Sequence, residues 1–150
     1  MAANCLIGVY HAGTNDSNKD IVMKSLSDHN GKIRVVFATV ALGVGVNLAD
    51  VNTVIHYGVP RSLKDYFEES GCGGRTGEQA FSTIYWCPKD APQYKNITDH
   101  RKQKCVLVRD NSSVCRRKWL IGYFIEDFSV DSMTTQSMCC DVCTNKANIH

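Results

Sequence analysis

The chain has 150 residues, of which 43% are hydrophobic and 21% are charged, and its formal net charge is +2. This length and balance suit one soluble globular domain with a small satellite domain, and they exclude a large multi-lobed enzyme. No apolar run approaches the roughly 20 residues of a membrane-spanning helix, and residues 1–10 do not fit a secretory signal, so we expect an intracellular protein.

Four short apolar runs, rich in β-branched residues, predict β-strands at residues 5–10, 33–39, 51–57 and 81–86. Helical or loop segments lie between them, and the clearest helix-compatible stretch is at residues 19–27. Strands that alternate with helices indicate an α/β fold with a parallel sheet. In such sheets ligands bind at the carboxyl ends of the strands.

Two loops contain residues that suit phosphate chemistry. Residues 38–47 place small side chains directly after a strand, where backbone amides can approach a phosphate closely, although a plain strand-to-helix turn explains this stretch at least as well. Arg75 lies among the four glycines of residues 71–77. A guanidinium held there suits the stabilisation of a transferring phosphoryl group, and the alternative is an ordinary surface arginine.

Pro88 and Pro92 mark a domain boundary near residue 88, where a basic segment begins. Residues 88–118 carry nine basic and three acidic side chains. Positive potential of this kind favours nucleic-acid binding, and a solvated helical face is an equally weighted alternative. The residues that we predict to contact DNA are Arg101, Lys102, Lys104, Arg116 and Arg117.

The carboxyl-terminal part predicts a helix and a metal site. After Cys115, the i, i+4 spacing of Trp119 with Tyr123 and of Leu120 with Phe124 predicts one helix that packs on a core. Eight cysteines in an intracellular chain favour metal ligands over disulfides. Four thiolates around zinc form a closed structural site, which leaves no position for a hydrolytic water.

Taken together, these motifs resemble the RecQ helicase family over nearly the whole chain. Residues 33–60 are similar to its motif V region, residues 66–77 to motif VI, residues 10–13 to motif IV, and residues 115–143 to its zinc module. The resemblance implies a RecA-like parallel-sheet helicase lobe at residues 1–87, followed by a small helical zinc-binding subdomain at residues 88–150. It also implies 3′-to-5′ ATP-dependent DNA unwinding in DNA repair and recombination, in the nucleus or another intracellular compartment.

The resemblance assigns roles to single residues. Arg75 matches the arginine finger of motif VI, which reaches the γ-phosphate of ATP from the opposite lobe. The positions expected to couple nucleotide to DNA are Thr39, Gly45, Asn47, Glu68 and Gly71. Two positions depart from the family pattern, since Glu68 replaces a glutamine and Cys72 replaces the first motif VI arginine. The lost cation and the added carboxylate predict weaker nucleotide coupling.

The zinc ligands also follow from the resemblance. Cys115, Cys140 and Cys143 match ligand positions of the family, while Ser137 occupies the usual fourth position. Cys139 is the substitute that we predict. Cys105 is the reserve candidate, and a weak three-thiolate site is the alternative.

The sequence contains no Gly-x-x-x-x-Gly-Lys-Ser/Thr loop and no Asp-Glu-x-His box. ATP and Mg²⁺ are therefore expected only with an N-terminal helicase lobe supplied from elsewhere, and the chain alone is expected neither to hydrolyse ATP nor to unwind DNA. Its expected partners are that lobe and single-stranded or forked DNA held by its backbone, and no membrane. The alternative is a truncated, non-catalytic zinc module that binds DNA or a protein partner.

Overall fold

A computed structural model describes residues 6–39, 42, 48, 51–87, 114–125 and 139–147. The chain divides into two compact units, the first comprising Met1–Gly58 and Lys64–Trp86, the second Val59–Leu63 and Cys87–His150. The segment Val59–Leu63, which the sequence boundary leaves in the first domain, thus belongs to the second unit. Within the described ranges, no helix is both long enough and apolar enough to cross a membrane.

The first unit begins with two parallel strands connected by a helix. β1 (Ile7–Tyr10) pairs with β2 (Val35–Ala38), and α1 (Asp16–Ser27) lies between them in the chain. Asn15 caps α1, because its side-chain oxygen accepts a hydrogen bond of 2.8 Å from the backbone N–H of Asn18. This cap fixes where the helix begins.

A glycine allows α1 to pack closely on β1. Val22 of α1 and Ile33 are buried, with exposed fractions of 4% and 7%. A Cβ atom on Gly8 would lie 3.0 Å from Val22 Cγ2 and 3.2 Å from Ile33 Cγ2. A larger residue at position 8 would therefore displace the helix or the Ile33 side chain from this small core.

The second half of this unit repeats the strand–helix–strand order. β3 (Thr53–Tyr57) pairs in parallel with β4 (Phe81–Tyr85), so that Thr53 lies opposite Phe81 and Tyr57 opposite Tyr85. α2 (Leu63–Ser70) and a glycine-rich loop connect the two strands. Both strand pairs are parallel, as the sequence predicts, and each strand lies within its predicted range.

The strands do not form one continuous sheet in the part of the chain that the structure describes. β1 and β2 form one two-stranded sheet, and β3 and β4 form another. One face of each sheet exposes apolar side chains, with exposed fractions from 50% for Val9 and Phe81 to 101% for Tyr57. The alternation of side chains along a strand places these residues together on one face.

The described residues of the second unit include two short helices. α3 (Arg116–Phe124) and α4 (Asp141–Ala147) lie in the carboxyl-terminal part, and α3 confirms the helix predicted after Cys115. Val59 and Leu63 form a buried cluster, against which the partly buried side chains of α3 pack: Trp119, Leu120 and Tyr123. The rings of Trp119 and Tyr123 stack with centroids 6.5 Å apart, which is the i, i+4 contact expected from their spacing.

Candidate functional site

Four cysteine thiols converge in the second unit. The Sγ atoms of Cys115, Cys139, Cys140 and Cys143 all lie within 4.8 Å of one another, and those of Cys115 and Cys139 are 3.7 Å apart. That separation is too long for a disulfide. Zn–S bonds of about 2.3 Å in a tetrahedron place the sulfurs about 3.8 Å apart, so this donor set fits a zinc ion.

The local backbone explains why the thiols meet. Cys115 precedes α3, and its carbonyl accepts the first helical hydrogen bond from Trp119 at 3.0 Å. Cys140 precedes α4 in the same way, with its carbonyl accepting from Thr144 at 2.9 Å, and Cys143 follows within the first turn. The amino ends of two helices, one from each side of the cluster, thus present the sulfurs to a common point.

The thiols compete for negative charge when no cation neutralises them. The pKa of Cys115 lies below its usual value. Burial is the largest single influence and raises this pKa, but hydrogen bonds from the backbone of Lys118 and from the thiols of Cys139 and Cys143 together outweigh the effect of burial. Burial and the neighbouring thiols raise the pKa of Cys139, and they raise the pKa of Cys143 to about 12. A divalent cation removes this competition, because it stabilises all four thiolates together.

An ion pair joins the two helices beside the cluster. Arg116 Nε donates to Asp141 Oδ1 at 2.6 Å, and Arg116 Nη2 donates to Asp141 Oδ2 at 2.9 Å. The hydrogen bonds from the guanidinium lower the pKa of Asp141. Each partner is next to a cysteine of the cluster, Arg116 to Cys115 and Asp141 to Cys140. The pair therefore holds the amino ends of the two helices in a fixed position relative to each other.

A second feature is the glycine-rich loop of the first unit, which carries Arg75. Gly74 and Gly77 have φ angles of +72° and +85°, a region that side chains other than glycine rarely adopt. The N–H of Gly74 donates to the carbonyl of Val51 at 2.9 Å. Arg75 is exposed, and its Nε donates to the carbonyl of Gly71 at 3.1 Å.

The two positions that depart from the family pattern differ in their surroundings. The side chain of Glu68 is 54% exposed, and its Oε1 lies 3.6 Å from Lys64 Nζ on the same helix. Cys72 is buried, with an exposed fraction of 8%, and its Sγ lies 3.9 Å from the carbonyl oxygen of Glu68. The thiol thus packs as a small apolar group rather than occupying the surface of the loop.

Sequence reasoning did not predict one contact between side chains near this loop. His56 of β3 is buried, and its Nε2 lies 3.1 Å from Oε2 of Glu69 on α2. Burial lowers the pKa of His56, while the carbonyl of Thr83 acts in the opposite direction. Single-sequence patterns contain no signal for this contact, because it depends on how α2 approaches β3.

The remaining predicted site residues are only partly described. Thr39 is exposed at the end of β2, with its N–H donating to the carbonyl of Tyr10 at 3.1 Å. Arg117 is exposed on α3. The predicted residues that lie outside the described ranges are Gly45, Asn47, Arg101, Lys102, Lys104 and Cys105.

Comparison with known proteins identifies the class. The helicase conserved C-terminal domain family matches residues 2–77. A solved structure, helicase Lhr of Mycobacterium smegmatis bound to ssDNA and AMP-PNP, superimposes with a TM-score of 0.52 at 21% identity, over 73% of this chain and 16% of that one. The chain belongs to the helicase conserved C-terminal domain family, and its parallel strands form part of the RecA-like fold of that domain.

The similar curated proteins define the branch of the family. The bifunctional 3′-5′ exonuclease/ATP-dependent helicase WRN of Mus musculus is 35% identical over 97% of this chain and 11% of its own length. The RecQ-like DNA helicase blm-1 of Caenorhabditis elegans is 31% identical over 90% of this chain and 15% of its own length. The chain is thus similar to RecQ-type helicases over most of its length, and it spans a small part of the length of these relatives.

Proposed function

We propose that this chain forms the second motor lobe of a 3′-to-5′ ATP-dependent DNA helicase and supplies Arg75 to an ATP site completed by another lobe. The observation that carries the proposal is the exposed Arg75 on a backbone-anchored glycine loop, within the family match at residues 2–77. A guanidinium in this position stabilises the charge that develops on a transferring phosphoryl group. The other lobe holds ATP and Mg²⁺.

The proposed DNA contacts use phosphates rather than base edges. The basic segment at residues 88–118 supplies nine cations, and phosphate contacts position a protein on DNA without reading its sequence. Arg116 forms an ion pair with Asp141. We therefore propose that its main role is to support the cysteine cluster and that its contribution to DNA binding is secondary. Arg117, which is exposed on the same helix, is the better candidate for a phosphate contact.

The proposed metal ion is zinc, held by Cys115, Cys139, Cys140 and Cys143. When bound, zinc cross-links the starts of α3 and α4 and contributes to the folding of the second unit. Four thiolates complete its coordination, so the site supports structure rather than chemistry. We place the helicase in the nucleus or another intracellular compartment, where such thiolates stay reduced.

The test joins this chain to the ATP-binding lobe of a RecQ-type relative and measures Mg²⁺-dependent ATP hydrolysis with single-stranded DNA. The substitution Arg75→Ala is expected to lower kcat by about 10³-fold or more, because an arginine finger contributes a rate enhancement of that size. Arg75→Lys keeps the charge but loses the planar fork and is expected to recover only part of the rate. Lys64→Ala, at a side chain that is 71% exposed on α2, is the control and leaves kcat unchanged.

The folding of each variant is checked by thermal unfolding. Because Arg75 is exposed, Arg75→Ala is expected to change the unfolding free energy by less than about 1 kcal/mol. A large loss of stability would mean that Arg75 is structural. Unchanged ATP hydrolysis in the Arg75→Ala variant would reject its role at the nucleotide.

A second candidate function is a non-catalytic zinc module that binds DNA or a protein partner. It is favoured by the neutral, buried Cys72 at an arginine position of motif VI and by the sequence, which has no phosphate-binding loop of its own. The two functions differ in one measurement. DNA binding by the joined protein, with no ATP turnover at any DNA concentration, would support the module and contradict the motor lobe.

A further inference from the structure

The first unit buries a histidine that the proposed chemistry does not use. Among the described residues, His56 is the one buried polar or charged residue, and its side chain is 6% exposed. Neither ring nitrogen has a hydrogen bond of regular geometry. A buried polar group without such bonds destabilises a fold unless its neighbours compensate, so the surroundings of His56 are informative.

Two side chains of α2 enclose the imidazole. Glu69 Oε2 lies 3.1 Å from His56 Nε2, and the ring of Tyr66 lies 5.1 Å from the imidazole, centroid to centroid, at an interplanar angle of 50°. Residues 66 and 69 are three apart and therefore share one face of the helix. That face of α2 is held against the carboxyl end of β3.

The Arg75 loop starts from the same helical turn. The carbonyl of Glu69 accepts a hydrogen bond from the N–H of Cys72 at 3.2 Å, and the carbonyl of Ser70 accepts from Gly73 at 3.2 Å. Further on, Gly74 donates to the carbonyl of Val51, just before β3. The loop is thus anchored near the start of β3 by its backbone and near the end of β3 through Glu69.

We propose that His56 and Glu69 form a positioning pair, which fixes the last turn of α2 on β3 and thereby sets where Arg75 emerges. The pair does not touch the nucleotide. Its significance rests on the proposed function of Arg75, because a guanidinium must be preorganised to stabilise a transition state in another lobe. The pair supplies that preorganisation from within this chain.

The test measures hydrogen exchange by NMR in the ¹⁵N-labelled chain. Two groups report on the loop: the amide of Gly74, which donates to Val51, and Nε–H of Arg75, which donates to Gly71. Glu69→Ala is expected to accelerate exchange at both groups about tenfold, because local opening no longer has to break the contact with His56. Glu69→Gln retains an acceptor oxygen at the same place and is expected to restore slow exchange.

A neighbouring carboxylate provides the matched control. Glu68→Ala removes a carboxylate that is 54% exposed and pairs with Lys64 on the outer side of α2, and it is expected to leave both loop groups unchanged. The amide of Thr39, which donates to Tyr10 between β1 and β2, reports on the stability of the rest of the unit. It is expected to keep its rate in every variant.

Two results would overturn the positioning pair: no acceleration at Gly74 and Arg75 in Glu69→Ala, or equal acceleration at Thr39, which would indicate a general loss of stability. If Glu69→Ala does not fold, His56→Gln decides by the same criteria. The outcome is independent of ATP. Loop-specific acceleration combined with normal ATP hydrolysis in Arg75→Ala would leave the pair in place and remove the role of the arginine.

Discussion

At the scale of single residues, the burial of His56 makes the stability of the first unit depend on pH. Burial lowers the pKa of His56 below its usual value of 6.5, so the unfolded chain takes up a proton more readily than the folded chain. The stabilisation is complete above the unfolded pKa and is lost as the pH falls through the folded pKa. We expect the urea midpoint of the first unit to decrease as the pH is lowered below about 6.5.

The His56→Gln variant tests this expectation, because it removes the titrating group. Its urea midpoint is expected to vary less with pH over the same interval. His29 is exposed, so His29→Gln serves as the control and keeps the dependence of the unaltered chain. If the urea midpoint of His56→Gln decreased with falling pH as much as that of the unaltered chain, the pH dependence would belong to other groups.

Residue type and the family resemblance identified part of the candidate sites. The resemblance to the RecQ family led to Cys139 as the fourth ligand, because Ser137 occupies the usual position, and the sulfur of Cys139 lies in the cluster. Arginine among glycines likewise marks a loop. Histidine and glutamate have many roles, and the approach of Glu69 to His56 depends on a helix docking on a strand 13 positions away, which no local pattern encodes.

At the scale of secondary-structure elements, the ion pair between α3 and α4 is expected to preorganise the metal site. Arg116→Ala removes the guanidinium that binds the Asp141 carboxylate through two hydrogen bonds. Partners that orient metal ligands contribute about 10–100-fold to metal affinity, and we expect a loss of that order. The affinity is measured by competition with a chromophoric zinc chelator.

The adjacent arginine provides a control for charge alone. Arg117 is exposed on α3, so Arg117→Ala removes the same charge from the same turn while the Arg116–Asp141 pair remains. Its zinc affinity is expected to stay within about threefold of that of the unaltered chain. Equal changes of zinc affinity in Arg116→Ala and Arg117→Ala would point to general electrostatics rather than to the pair.

The four described strands and the helices α1 and α3 were predictable because each is encoded locally. Apolar runs predicted these strands, and each strand is shorter than its predicted range. How whole elements pair and pack was harder to predict from the sequence. The division into two sheets and the packing of Val59 and Leu63 with α3 depend on contacts between distant parts of the chain.

At the scale of the whole molecule, metal removal is expected to affect the two units unequally. The four thiols belong to the second unit, so chelation is expected to open α3 and expose Arg116, Arg117 and Lys118 to trypsin, while the first unit keeps its protection. Cys143→Ser is expected to show the same cleavage without chelator. The exposed Cys87 lies outside the cluster, so Cys87→Ser is the control and remains protected.

DNA binding is expected to depend steeply on salt, because the charge of the molecule is segregated along its chain. Residues 88–118 carry a net charge of +6, from nine basic and three acidic side chains, against +2 for the whole molecule. Each phosphate neutralised on a single strand contributes about −0.7 to the slope of log K against log salt concentration. Replacing Arg101, Lys102 and Lys104 by Gln is therefore expected to reduce the slope by about 2 units.

A triple variant in the first unit distinguishes the effect of a local DNA interface from the effect of the net charge of the whole molecule. Lys24, Lys32 and Arg34 are exposed, and their replacement by Gln lowers the net charge by the same amount, yet the slope is expected to change little. Fluorescence anisotropy with a labelled oligonucleotide gives K at each salt concentration. Equal changes in the two triple variants would mean that DNA responds to total charge, and the basic segment would then be a solvated surface rather than an interface.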